Sequence, residues 1–144
     1  MKTLTIILLI AANSLLAAPP APTPSPSPAQ TLTYSGGIDC NGQGPVIKGS
    51  PGTIITIHAS GEANAYTGHW LLIFNKTTAP VAGDVPAIAL LFSQPNAQNP
   101  SSGVIDRDYL GGLPMTTGIS WAISLTPQVL SPDCFPVTLT VTYQ

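Results

Sequence analysis

The chain has 144 residues, 44% of them hydrophobic and only 7% charged, with a net charge of −2. That length suits one domain, and the charge fraction lies far below the usual quarter. No basic stretch could neutralise a row of phosphates, which argues against nucleic acid as a partner.

Residues 1–18, MKTLTIILLIAANSLLAA, read as an export signal. Lys2 is the positive end, and the sixteen residues from Thr3 to Ala18 carry no charge. A membrane-spanning helix needs about 20 residues, so the run fits a signal core better. Ala17 and Ala18 end it, but Leu15 and Leu16 stand where small residues are expected. An uncleaved anchor is therefore the alternative, and it is the one route to a membrane. The expected location is outside the cytoplasm: periplasmic, extracellular or on a virion surface.

Residues 19–30, PPAPTPSPSPAQ, form a Pro-rich linker, with proline at six of the first ten positions. Proline fixes φ and cannot join a sheet ladder, so an extended, semi-rigid spacer is expected.

From residue 31 to 144 the pattern is all-β. Short apolar runs alternate with Gly, Pro, Ser and Asn punctuation. TLTY, PVIK, TIITIHA, HWLLIFN and AIALLF come first. A polar loop follows, and then GVID, a short piece near Leu113 to Thr116, GISWAISL and FPVTLTVTYQ. About eight to nine short strands and no capped helix predict an antiparallel β-sandwich of jelly-roll type. In the last strand Val137, Leu139, Val141 and Tyr143 share one face and Thr138, Thr140 and Thr142 the other, the period of a half-buried strand. Ile119, Trp121 and Ile123 repeat it. HWLLIFN and AIALLF are apolar on both faces, which predicts central strands or a covering partner subunit.

Two cysteines, Cys40 and Cys134, form an even count, and an oxidising compartment pairs them. The loop closed spans 134 − 40 = 94 residues, a staple contributing roughly 4–5 kcal/mol in the chain-entropy view.

The inventory for chemistry is short. General acid–base catalysis needs two titratable groups converging on a substrate. His58 is placed on the face of Ile54 and Thr56, and His69 opens a strand beside Trp70. No Gly-x-Ser-x-Gly elbow accompanies them. No enzyme activity and no cofactor are expected. Asp106-Arg107-Asp108 is the one charged cluster. Asp106 and Asp108 are weak candidates for calcium, because DRDYLGG lacks the further oxygen ligands of a calcium loop. The better reading is a solvated turn whose arginine offsets its neighbours, so no metal is expected. Tyr66 and Trp70 are candidate ligand or partner contacts, as in a sugar-stacking platform, while Trp121 is assigned to the core. The threonine rows at 31–33 and 138–142 invite an ice-binding reading, but β-propensity explains them. Asn75-Lys76-Thr77 fits a glycosylation acceptor.

Two segments resemble small virion-structural proteins of tailed bacteriophages. In LLIFNKTTAPVAGDVP, residues Phe74, Asn75, Lys76, Thr78, Ala79, Pro80, Gly83, Asp84 and Pro86 occupy places similar to that family's strand-turn, with the turn one residue shorter. GLPMTTGISWAIS, residues 112–124, is similar to a second family segment in the same order along the chain, and VTLTVTY is compatible with its last strand. The resemblance implies a small all-β domain on a virus particle without enzymatic chemistry. An export signal, a stalk and a cysteine pair depart from that family and suggest an exported, prophage-like relative.

The resulting expectation is a non-enzymatic structural or surface-interaction module. Its partners are other structural proteins or a cell surface, or further copies of the chain. A secreted carbohydrate-binding or adhesin-like sandwich is the alternative, and a small secreted hydrolase a remote third.

Overall fold

In the computed structural model, which describes residues 25–37, 43–61, 68–92, 103–134 and 136–144, seven strands form two antiparallel sheets. They are β1 (Gln30–Gly37), β2 (Gly52–Gly61), β3 (Trp70–Phe74), β4 (Ile88–Leu91), β5 (Val104–Met115), β6 (Ser120–Ser124) and β7 (Pro136–Tyr143). The first sheet runs β1-β7-β2-β5 and the second β4-β3-β6. The export signal and most of the linker lie outside the described residues. Residues 25–29 are exposed and lead straight into β1.

The main core lies between the sheets. Ile57, Ala59, Ile105, Val137, Leu139, Val141 and Tyr143 face it from the first sheet, and Leu71, Ile73, Ile119, Trp121 and Ile123 from the second. Every inward position of β7 is buried and its threonines point away, as its period of two requires. Trp121 is fully buried and meets Tyr34 edge-to-face, with ring centroids 5.2 Å apart.

Segment 43–48 lies along the free side of β6. Gly44 N–H donates to Trp121 O at 3.1 Å, Ile47 N–H donates to Ile119 O at 2.9 Å, and Ile119 N–H donates to Lys48 O at 2.8 Å. With this segment as a rudimentary eighth strand, each sheet has four members (3 + 1 in the second). Successive strands then cross between sheets, except the hydrogen-bonded pair β3–β4, as in a jelly roll. Gly44 allows the approach, since a Cβ there would lie 2.1 Å from the Trp121 indole.

Several expectations change. PVIK is a bridged segment and not a full strand, because within it Lys48 alone makes a bridge, with a second at Gln43 just before it. GVID and the piece near Leu113 belong to one strand, β5, so the described residues form seven strands against the eight to nine expected. AIALLF does not supply a central strand: β4 is an edge, and Leu91 on it is 47% exposed. β3 is central, as expected. Its second face is covered by the chain's own loops. Leu72, Phe74, Ala122 and Leu130 form a satellite cluster there, joined by Trp70 and Ala89.

The β2–β5 ladder is irregular. Between the pairs Ile54–Leu113 and Thr56–Asp108, β2 has one residue and β5 has four. The extra β5 residues include Gly111 and Gly112, with φ of 86° and 77°, a region that glycine enters without strain. Leu110 at the tip is fully exposed. The bulge also separates Ile54 from Thr56. Ile54 is buried, whereas His58 is exposed, so these residues do not share one face as period alone predicted.

Candidate functional site

The outer face of the first sheet is built from alternate residues of four strands. Strand register aligns them in three rows. The first holds Ser35, Thr138, Ser60 and Val104, the second Thr33, Thr140, His58 and Asp106, and the third Thr31, Thr142, Thr56 and Asp108. The β1 and β7 hydroxyls pair across the ladder. Oγ–Oγ distances are 3.4 Å for Thr31–Thr142, 3.3 Å for Thr33–Thr140 and 3.2 Å for Ser35–Thr138. The hydroxyls therefore extend beyond the two strands that the TLT and TLTVT runs suggest, because Thr56 and Ser60 of β2 continue the rows.

The rows turn acidic at the β5 edge. His58 Nδ1 lies 2.9 Å from Asp106 Oδ1, and both side chains are well exposed. Asp108 completes a group whose donor atoms all lie within 4.8 Å of one another. A shallow hollow of about 220 Å³ adjoins it, lined by residues that include Ser60, Thr138 and Thr140. The expected solvated turn is thus corrected. Asp106-Arg107-Asp108 is mid-strand, and alternation sends Arg107 to the side of Ile57, its register partner. Arg107 does not sit between the two carboxylates on their own face. The D-R-D alternation was the available signal for a strand, and cross-strand pairing supplies His58, which spacing along the chain could not.

The LLIFN turn does architectural work. Asn75 Oδ1 accepts from Thr117 N–H at 2.8 Å and Gly118 N–H at 3.4 Å, while its Nδ2 donates to Thr116 Oγ1 at 2.9 Å. The amide nitrogen that a glycan would modify is therefore engaged. The Lys76 ammonium donates to Asp84, which also accepts Val81 N–H at 2.8 Å. These contacts, the Lys76 hydrogen bond first, hold the Asp84 carboxyl below its ordinary value. The same loop joins the one after β6: Gly83 N–H donates to Leu130 O at 2.9 Å, and Leu130 N–H to Asp84 O at 2.8 Å.

His69 is buried and meets Asp133, whose other oxygen accepts Cys134 N–H at 2.8 Å. This pair ties the start of β3 to the approach to β7 and lies apart from His58, so the two histidines do not converge. Burial of Tyr109 against the core raises its phenol above the ordinary value. Trp70 is half-buried on the satellite cluster; Tyr66 lies outside the described residues. Cys134 is not a free thiol, and Cys40 lies outside the described residues. Among the described residues no helix is long and apolar enough to cross a membrane.

The chain matches no family model, no curated protein and no solved structure.

Proposed function

We propose that this protein is a non-enzymatic structural or surface-interaction module of a phage or phage-like assembly, held outside the cytoplasm on its Pro-rich stalk. The observation that carries the reading is the open face of the first sheet. It offers three aligned rows of side chains across four strands, a broad contact surface. Jelly-roll domains serve widely in viral shells and in lectins, and this analogy of fold adds to the likeness of the two sequence motifs. Export fits the cysteines. Gly37 and Pro136 are register partners, and Cys40 and Cys134 stand three and two residues beyond them along the chain. A Cys40–Cys134 bridge would clamp that end of β1 and β7. Non-reducing mass spectrometry of the mature protein tests the bridge and the removal of residues 1–18 together.

The test of the role is sedimentation of the purified protein over a wide concentration range, with binding assays on phage particles and on bacterial cells. Self-association or particle or cell binding is expected. A protein that stays monomeric at high concentration and binds neither surface overturns the proposal. The hydroxyl-lined hollow favours a second reading, a secreted carbohydrate-binding or adhesin-like sandwich. A glycan array on which no signal depends on Tyr66, Trp70 or the hollow would remove it.

A further inference from the structure

We propose that His58, Asp106 and Asp108 form a surface site for a divalent transition-metal ion of the zinc class. The site stands on the sheet and is independent of the role proposed above.

Asp106 and Asp108 are two apart on β5 and share its outer face; His58 is the register partner of Asp106, and Thr56 that of Asp108. Their donor atoms lie within 4.8 Å of one another, the closest named pair being His58 Nδ1 and Asp106 Oδ1 at 2.9 Å. A tetrahedral ion with bonds of about 2.0–2.2 Å needs donor separations of about 3.3 Å. The His58–Asp106 pair must therefore open slightly to admit the ion, with Asp108 already inside the same 4.8 Å group. Exposed side chains can make this adjustment by rotation, on backbones held by ladder hydrogen bonds.

The two carboxylates share a face on which none of the described cations stands. Lys48 lies over the Tyr143 ring at 5.7 Å, Lys76 is bound to Asp84, and Arg107 projects to the opposite side. A bound dication would neutralise the pair without displacing any lysine or arginine.

The donor set then selects among cations. Calcium takes six to eight oxygens, and an imidazole spoils that set. Zinc accepts one His with two carboxylates, and three protein ligands leave a fourth position for water or another oxygen donor. Here that position adjoins the hollow lined by Ser60, Thr138 and Thr140.

The experiment titrates the purified protein with zinc chloride in chelator-free buffer, read by calorimetry and by the imidazole NMR signals. Saturable binding of one ion is expected, with the His58 ring signals shifting and those of His69 staying in place. His58→Ala and Asp108→Asn should each weaken binding by about tenfold or more, with unchanged circular dichroism. Calcium chloride at the same concentrations should leave the His58 signals in place. Absence of saturable zinc binding overturns the proposal. Binding that survives both substitutions does so too. Calcium binding that ignores His58→Ala also overturns it, by assigning the carboxylates to an oxygen-only site.

Discussion

The outer faces of the two sheets solve the same problem in opposite ways. On the first sheet alternation holds along β7 and along β2 from Thr56 on, and hydroxyls and carboxylates meet water directly. On the second, Leu72, Phe74 and Ala122 point outward and would be exposed but for the loops around Val81–Asp84 and Val129–Leu130. The polar contacts follow this division. Asn75, Lys76–Asp84 and His69–Asp133 all brace the connections that enter or leave β3, whereas the open face pairs hydroxyls with hydroxyls and leaves its acidic end toward solvent. A scarcity of charge thus becomes informative: three ion pairs occur among the described residues, and two of them flank β3.

If the cover is packed as tightly as the core, Phe74→Ala should cost about 3–5 kcal/mol, because a fully buried ring leaves a cavity. Denaturant unfolding measures this, and a loss below 1 kcal/mol would make the cover a loose lid. Gly44→Ala should cost about 1–3 kcal/mol by overpacking against Trp121, since that contact reaches the core shared by both sheets. Asn75→Ala should cost about 1–3 kcal/mol. Asn75→Asp keeps the acceptor for Thr117 N–H and should recover part of the loss, which separates the two ends of the amide. Acid should act on the covered side through Asp84. Its folded-state value is depressed, so its contribution is complete above the ordinary value of 3.8 and fades as pH falls through the lower folded one. Asp84→Asn should flatten that limb of a stability–pH curve. The smallest effect belongs to the open face: Thr33→Val should change stability by no more than about 0.5 kcal/mol, and a larger loss would mean that the hydroxyl pairs hold the sheet together.

Periodicity made much of this architecture readable in advance. The alternation in β7 needs only neighbours two residues apart and stands as read. At β6 the stripe Ile119, Trp121 and Ile123 faces the core, but Ser120, Ala122 and Ser124 are buried as well, so the strand is covered on both faces and not half-buried. Strand membership around β5 was harder. The four extra residues opposite Ile55 break the period, and two glycines with proline close by look like an ordinary turn. The same irregularity hid the facing of His58, since one bulged residue shifts the face of those beyond it. The grouping of His58 with Asp106 and Asp108 arises from residues about fifty apart, brought together by register and by no local pattern. Lys76 illustrates the converse case. It looks like a functional residue by its rarity, and its surroundings make it a strut within the Lys76–Asp84 turn.

The position of β1 has a mechanical consequence. It is an edge strand with one hydrogen-bonded neighbour, β7, and the exposed lead-in 25–29 with Pro26 and Pro28 enters it directly. A pull arriving along that lead-in reaches the body first at Gln30, opposite Tyr143. If the body is held near that same end, the pull opens the β1–β7 ladder one rung at a time and meets little resistance. If it is held at the Gly37 end, all eight register pairs from Gln30–Tyr143 to Gly37–Pro136 carry the load together in shear. Where a partner grips the sandwich therefore decides whether the tether yields or holds.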